Sequence, residues 1–195
     1  VLDNPLRLTM TKSLSITAVF APRLLADNFE AGSLRANIGW STNNAPGVAP
    51  WFVALTNSQV TNTVEGGSYL ARSGIITNGQ TTVLRLVAAT RGAPASFAYR
   101  VSSEANGPTA GDFFEFYLNG LPQVRTNGES GWQTHSFSVS AGTNVLEWRY
   151  VKDPSVSSAL DAVFLDNLDL PIVEQINPAV PVRFNTNSIR VVNNG

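Results

Sequence analysis

Two groups of acidic residues stand far apart in the sequence and could share one metal ion. Asp27 and Glu30 lie near the start of the main body of the chain, and Asp161 and Asp166 lie near its end. Calcium binds six to eight oxygen atoms, which carboxylates, amides and backbone carbonyls supply. An antiparallel sandwich would bring the two ends together, so these four residues are predicted to hold a structural calcium (Ca2+). The alternative is that the carboxylates are solvated or cap loops.

A second set of residues has the types that bind sugars. Trp40 and Trp51 enclose Asn43 and Asn44 in a long segment rich in Pro, Gly and Asn. Aromatic rings offer a flat apolar face, and amide groups hydrogen-bond to hydroxyls. These four residues are therefore predicted to form a glycan-binding loop. The alternative is that the tryptophans plug the open end of a sandwich, and Trp51 in particular lies in an apolar run.

No arrangement of residues in the sequence matches a known kind of catalytic site. The chain has no Cys, which excludes thiolate nucleophiles, and the G-x-S-x-G motif of serine hydrolases does not occur. The single histidine, His135, alternates with apolar residues, as a half-buried strand residue does. Glu147 and Arg149 lie on one face of a strand, which indicates an ion pair. The chain is predicted not to be an enzyme.

The bulk composition excludes two classes of partner. The chain has 195 residues and a net charge of -1, which is too little charge to attract nucleic acid or an anionic membrane. No apolar run approaches the roughly 20 residues that span a bilayer, so membrane insertion is not predicted. Abundant Ser, Thr, Asn and Gly favour a secreted β protein. The first residue, Val1, favours a fragment of a longer exported polypeptide.

The elements that must position these residues are β-strands. Apolar and polar residues alternate in several short runs that are separated by turn residues. These runs cover residues 69–72, 82–88, 96–101, 114–118, 135–139, 146–150 and 162–170. Residues 111–171 are predicted to form four successive strands of an antiparallel meander. The predicted fold class is all-β, an antiparallel β-sandwich of the jelly-roll type, because each alternating sheet needs one covered face.

Two short segments flank the predicted sandwich of residues 23–171. Alternation within residues 1–22 predicts a β-hairpin, with the alternative that its strands extend the sandwich. Residues 172–195 contain two prolines and two short alternating pieces, which predict an extended tail or a linker to another module. Apolar strands at both ends could also add to neighbouring copies of the chain. That alternative predicts a homo-oligomer or a fibre.

Six stretches of sequence, in order, carry a resemblance to a known module. They are APWFV (49–53), GSYLARSG (67–74), FAYRVSSE (97–104), GDFFEFYLNG (111–120), GESGWQTHSFSVSAGTNVLEWRYVKD (128–153) and LDAVFLDNLDLP (160–171). Their succession resembles MAM-type domains and the cleaved adhesin domains of gingipains. The stretch NPLRLTMTKSLSITAVFAP (4–22) resembles the closing hairpin of internalin-B-type β-repeats.

The resemblance implies a jelly-roll fold and an extracellular or bacterial cell-surface location. It also implies a role in adhesion, carbohydrate binding or spacing. The acidic residues of the MAM-like pattern correspond to Glu30 and Asp166. The chain departs from the family at Phe164, where Trp is usual, and at Asn119, where Asp is usual. The second departure weakens any carboxylate role at that position.

Together these observations predict a non-catalytic extracellular module that serves in glycan binding or adhesion. Its predicted partners are a polysaccharide or another glycan, or neighbouring protein modules. The competing prediction is a structural subunit of an extracellular fibre or surface layer, joined by strand addition at the chain ends.

Overall fold

The chain divides into two units, one of residues 1–21 with 175–195 and one of residues 22–174. A computed structural model describes residues 6–8, 25–35, 38–42, 44–57, 67–107, 109–173 and 189–191. Within these ranges no helix is long and apolar enough to cross a membrane.

Thirteen strands occur in the described part of the chain. They are β1 (Leu6–Leu8), β2 (Leu25–Asp27), β3 (Trp40–Ser41), β4 (Phe52–Leu55), β5 (Tyr69–Arg72), β6 (Thr81–Thr90), β7 (Ala93–Ser102), β8 (Phe113–Leu118), β9 (Leu121–Asn127), β10 (Gln133–Val139), β11 (Gly142–Val151), β12 (Ala162–Leu170) and β13 (Ile189–Val191). Alternation in the sequence correctly predicted β5 to β8 and β10 to β12. It missed β9, which begins Leu121-Pro122 and lies at a sheet edge, where proline is tolerated.

The unit of residues 22–174 is a sandwich of two antiparallel sheets. The six-stranded sheet has the order β10-β7-β12-β5-β4, and β2 also pairs with β12. The five-stranded sheet has the order β3-β6-β11-β8-β9. Its longest pairing joins β6 to β11 over the full length of both strands. The predicted all-β antiparallel sandwich is confirmed.

One aromatic core fills the space between the sheets. Trp148 on β11 is 0% exposed, as predicted, and stacks on Phe116 of β8 with 5.3 Å between ring centroids. Phe97 of β7 approaches Trp148 edge-on from the other sheet at 5.6 Å. His135 on β10 is half-buried, with its ring 5.5 Å from that of Phe97. Phe164 is also buried, in a smaller cluster with Leu70 and Ala162.

The predicted meander over residues 111–171 is wrong. β8 and β9 form a hairpin closed by Asn119 and Gly120, whose φ angles of 51° and 79° suit an Asn-Gly turn. β10 then crosses to the six-stranded sheet and pairs with β7, β11 returns to β8, and β12 crosses again. Alternation identifies a strand and its buried face, but both sheets of a sandwich bury one face. The pattern therefore cannot tell which sheet a strand joins.

The first unit contains a two-stranded sheet made from opposite ends of the chain. β1 and β13 pair antiparallel, from Leu6 with Val191 to Leu8 with Ile189. The second strand of the predicted N-terminal hairpin lies outside the described residues, and so does most of the predicted tail. The predicted boundaries at residues 22 and 172 remain predictions.

Gly74 is a position where the sandwich leaves no room for a side chain. A Cβ atom there would clash with the carbonyl group of Ala49 and lie 2.7 Å from Pro50 O. Since backbone atoms cannot rotate away, Gly74→Ala is expected to lower the free energy of unfolding by about 3 kcal/mol. Urea denaturation measures this loss. Gly131→Ala is the matched control, because a Cβ at Gly131 meets nothing within 4 Å. Equal stability of the two variants would contradict the close approach.

Candidate functional site

The outer face of the five-stranded sheet carries six polar side chains that lie side by side. Side chains alternate along a strand, so the residues between the core positions of β6, β8 and β11 point outward, and β9 adds one at the sheet edge. We call this group the polar strip. It consists of Arg85, Glu115, Tyr117, Arg125, Glu147 and Arg149. With neighbouring strands about 4.8 Å apart, the strip crosses four strands over roughly 14 Å.

Ion pairs connect the charged members of the polar strip. The carboxylate of Glu147 lies between two arginines, 3.4 Å from Arg85 Nε and 2.6 Å from Arg149 Nη2. The carboxylate of Glu115 lies 3.1 Å from Arg125 Nε. The ion pair between Glu147 and Arg149 was predicted from the sequence. Guanidinium and carboxylate groups thus alternate across the sheet. The strip therefore presents both hydrogen-bond donors and hydrogen-bond acceptors to a ligand.

Tyr117 gives the polar strip an aromatic surface. The guanidinium carbon of Arg149 lies 4.1 Å from its ring centroid, and its hydroxyl donates to Glu115 Oε2 at 3.0 Å. Burial and this hydrogen bond raise the pKa of the Tyr117 hydroxyl. The group is therefore a neutral hydroxyl, able to donate and to accept, across the physiological pH range.

The two tryptophans of the predicted sugar site pack into the sandwich instead. Trp51 is 2% exposed, and its indole nitrogen donates to Thr82 O at 3.3 Å. Trp40 on β3 packs on the core, with its ring centroid 5.6 Å from that of Trp148 and 6.4 Å from that of Phe29. Trp51 has no face for a sugar, so its predicted role is wrong, and Trp40 keeps only part of its ring accessible. The alternative interpretation, tryptophans that fill the sandwich, fits both.

The side chain of Asn44, in the segment between Trp40 and Trp51, forms two hydrogen bonds to β6. Its Oδ1 accepts the amide of Val83 at 2.7 Å, and its Nδ2 donates to Thr82 Oγ1 at 3.2 Å. Both ends of the amide are thus engaged within the protein, as expected for a structural role. Asn43 lies outside the described residues, and its predicted role remains a prediction.

Asp27 and Asp166 lie near each other where β2 pairs with β12. Asp27 pairs with Leu168, two residues after Asp166, and an irregularity in the register of β12 lies between Asp166 and Asp169. Both residues are buried. Asp27 Oδ1 accepts the amide of Phe29 at 3.0 Å, whereas Oδ2 has no hydrogen-bond partner among the described residues. Burial raises the pKa of Asp27, although that hydrogen bond and the charge of Arg35 oppose the shift. A buried carboxylate oxygen without a donor fits a cation site.

Glu30 lies in the turn that follows β2. Its carboxylate accepts hydrogen bonds from the backbone amides of Ser68 and Tyr69, each at 2.9 Å. These bonds tie the start of the sandwich to β5. The carboxylate is exposed, so it also remains open to a cation.

Asp161, the fourth predicted calcium ligand, lies elsewhere. It precedes β12, whereas Asp27 pairs near the other end of that strand, about 20 Å away at roughly 3.3 Å per residue. Its Oδ1 instead accepts hydrogen bonds from Lys152 Nζ and the hydroxyl of Tyr150. Asp161 therefore cannot share an ion with Asp27, and its predicted role as a ligand there is wrong.

A separate acidic cluster was not recognised in the sequence. Carboxylate oxygens of Glu104, Asp112 and Asp153 lie within 4.8 Å of one another, close enough that the group could hold a metal ion. All three carboxylates also accept hydrogen bonds from protein donors. Glu104 and Asp112 lie in the loop between β7 and β8, and Asp153 lies in the loop between β11 and β12, so no single spacing in the sequence indicates the cluster.

A pocket of about 100 Å³ opens on the six-stranded sheet. It is lined by the apolar residues Ala54, Leu55, Leu70, Leu160 and Phe164 and by the polar residues Asn57 and Arg72. The guanidinium of Arg72 lies 5.9 Å from the ring centroid of Phe164. The pocket offers fewer hydrogen-bonding groups than the polar strip, so it suits a hydroxyl-rich ligand less well.

Comparison with known proteins supports the fold. The K1 cleaved adhesin domain of Lys-gingipain from Porphyromonas gingivalis W83 superposes with a TM-score of 0.52 at 14% identity, covering 76% of this chain and 97% of that chain. The chain shares the β-sandwich fold of that domain. The K3 cleaved adhesin domain of the same protein gives a TM-score of 0.48 at 16% identity, over 74% and 95% of the two chains. The CBM22-1 xylan-binding domain of Xyn10C from Paenibacillus barcinonensis gives 0.44 at 18%, over 80% and 99%.

The sequence itself matches no family model, and no curated protein matches it. The comparison thus supports the β-sandwich fold, which the chain shares with the K1 domain. They do not show the internalin-B-type repeat, which remains a prediction for residues 1–22.

Proposed function

We propose that this chain is a non-catalytic extracellular module of a bacterial surface or secreted protein, and that the polar strip binds its glycan ligand. The observation that carries the proposal is the flat array of guanidinium, carboxylate and tyrosyl groups on the outer face of the five-stranded sheet. A fold shared with a domain named as an adhesin agrees with a binding role.

The chemistry of the polar strip suits a sugar chain. Sugar hydroxyls both donate and accept hydrogen bonds, and the strip alternates acceptors such as Glu147 with donors such as Arg149. The arginines of these ion pairs are 31–46% exposed and the carboxylates only 14–19%, so a ligand reaches the network mainly through the guanidinium groups. A strip of roughly 14 Å can contact several sugar units rather than one. The expected ligand is therefore an oligosaccharide or polysaccharide.

Tyr117→Ala tests the polar strip. A glycan array identifies a ligand, and titration calorimetry then compares the variant with the natural chain. Loss of the aromatic face and of the bond to Glu115 is expected to weaken binding at least tenfold, equivalent to about 1.4 kcal/mol. Thermal melting of both proteins shows that the fold is intact.

The control for this experiment is Leu55→Ala, on β4 of the other sheet. Leu55 is 62% exposed and lines the pocket on the six-stranded sheet. The Leu55→Ala variant is expected to bind the glycan as tightly as the natural chain does. Binding that survives Tyr117→Ala but falls in Leu55→Ala would move the site to that pocket. A chain that binds no glycan on the array would contradict the proposed function.

The alternative function, assembly through the chain ends, receives less support. The strands available for addition to neighbouring copies, β1 and β13, pair with each other within one chain. Neighbouring modules of a longer protein remain proposed partners.

We also propose that a structural calcium binds at Asp27, Glu30 and Asp166. The support is the Asp27 Oδ2 atom, which is buried without a hydrogen-bond donor among the described residues. Calcium prefers oxygen ligands and flexible geometry, and carboxylates of two strands and a turn meet that need. The ion would neutralise buried negative charge and fasten the first strand of the sandwich to β12.

A further inference from the structure

Lys152 is an unusual choice for the place it occupies. The chain contains eleven arginines but only two lysines, Lys12 and Lys152. The Lys152 side chain is fully buried, and it directly follows β11. Arginine is the usual cation for a buried ion pair, because its planar guanidinium satisfies a carboxylate at two points. Lysine differs in one chemical respect, since its amine becomes a nucleophile when it loses a proton.

Two carboxylates enclose the Lys152 amine. Nζ donates to Asp112 Oδ2 at 2.7 Å and also to Asp161 Oδ1. The Asp112 side chain is 0% exposed, whereas that of Asp161 is 25% exposed. A hydrogen bond of this length places Nζ about 3.5 Å from the carboxyl carbon of Asp112, within the range of a near-attack geometry.

We propose that Lys152 and Asp112 join in an intramolecular amide bond, with Asp161 as the general base. The bond links the end of β11 to the start of β8. These strands already pair at Val151 and Phe113, so the reacting residues stand opposite each other. No cofactor or further reactant is needed.

The reaction balances within the pair. Lys152 Nζ attacks the carboxyl carbon of Asp112, and the bond from that carbon to Oδ2 breaks. The ammonium group gives up two protons, which pass through Asp161 to Oδ2, and Oδ2 leaves as water. The third proton stays on the new amide nitrogen. The hydroxyl of Tyr150 contacts Asp161 Oδ1 and lies 3.4 Å from Asp112 Oδ2, so it can relay a proton between them.

The surroundings favour the reaction at Asp112. Its other oxygen, Oδ1, accepts the backbone amide of Asp153 at 3.0 Å, which stabilises negative charge on that oxygen during attack. Burial lowers the pKa of Lys152, while its bonds to the two carboxylates raise it overall, so a base must remove the proton. Asp161 contacts the amine and reaches solvent, which suits that task. The product replaces two buried charges with a neutral amide, which removes a cost of burial.

Intact mass spectrometry of the purified, denatured 195-residue chain tests the proposal. The expected mass is lower than the sequence mass by one water molecule. Trypsin digestion is expected to yield residues 101–125 joined to residues 150–183 as one branched peptide, uncut after Lys152. A natural chain with its full sequence mass would overturn the proposal, and so would a water loss without the branched peptide.

Variants separate the roles of the three residues. Lys152→Met and Asp112→Ala are each expected to show the full sequence mass, and Lys12→Arg, the matched control, to keep the water loss. Asp161→Asn is expected to fold with the full mass, because an amide cannot take up the proton. Circular dichroism checks folding in each case. Water loss in Lys152→Met would show that Lys152 does not form the bond. Water loss in Asp161→Asn would show that Asp161 is not the general base.

Discussion

Replacing Trp148 with alanine is expected to lower the free energy of unfolding by about 4 kcal/mol. The ring is 0% exposed at the centre of the core, in contact with Phe116 from its own sheet and Phe97 from the facing one. Its removal leaves a cavity that both sheets border, and neither can close it without breaking its hydrogen-bonded register. Domains are stable by only about 5–15 kcal/mol, so the loss is a large fraction of the total. Urea denaturation followed by circular dichroism measures it.

Leu121→Ala is the control for this prediction. Leu121 begins β9 at the sheet edge and is 66% exposed, so its change is expected to stay within about 0.5 kcal/mol. A loss below about 1 kcal/mol in Trp148→Ala would show that the core can collapse around the missing ring. The description of Trp148 as a shared contact of both sheets would then be wrong.

The strands could be predicted because one face of each packs on the apolar core and the other faces water. In β6 and β11, every second residue is buried and the others are partly exposed, so hydrophobic periodicity records the environment directly. β4 lacks this contrast, since Phe52 and Leu55 at its two ends are both exposed, and its residues show no alternation that predicts a strand. The alternation of apolar and polar residues thus predicted the strands whose two faces differ in burial, and it missed β4, whose faces do not.

Partners across the sandwich could not be predicted in the same way. Arg85 meets Glu147, and Asp112 meets Lys152, only because β11 lies between β6 and β8. That order results from four crossings between the sheets from β6 to β11, which no turn residue indicates. The polar strip was visible in the sequence only in part, as the pair Glu147 and Arg149 on one strand.

Two residues of the predicted sites, Trp51 and Asp161, have surroundings that the residue type alone does not reveal. A tryptophan in a polar loop can stack on a sugar or close the end of a core, and Trp51 does the second. Asp161 was grouped with Asp166 because both lie near the end of the chain's main body, yet β12 separates Asp161 from the β2 junction. The two residues are close in sequence, but an extended strand places Asp161 far from the end of β12 that pairs with β2.

Calcium is expected to raise the melting temperature of the chain at neutral pH, and a chelator to reverse the effect. A ligand that binds only the folded state stabilises it by about 2.7 kcal/mol at a concentration 100 times its dissociation constant. For a domain of this size, that gain corresponds to a rise of roughly 5–10 °C. Asp27→Asn keeps the shape of the side chain and removes its charge, so it is expected to abolish the response. Glu104→Gln, in the separate acidic cluster, is the matched control and is expected to respond fully.

The pH dependence of this response follows from the direction of the Asp27 shift. Burial raises the pKa of Asp27 in the folded state, so without calcium the fold holds the proton more tightly than the unfolded chain does. Between the ordinary pKa of an aspartate and the raised one, the calcium-free protein therefore loses stability as pH rises. Calcium binds the ionised carboxylate, so its stabilisation is largest above the raised pKa and disappears as protons displace the ion.

Melting curves from pH 4 to pH 7, with calcium and with chelator, are expected to converge at the acid end in the natural chain and to coincide throughout in Asp27→Asn. A response lost in Glu104→Gln but kept in Asp27→Asn would place the ion in the acidic cluster and contradict the site at β2 and β12.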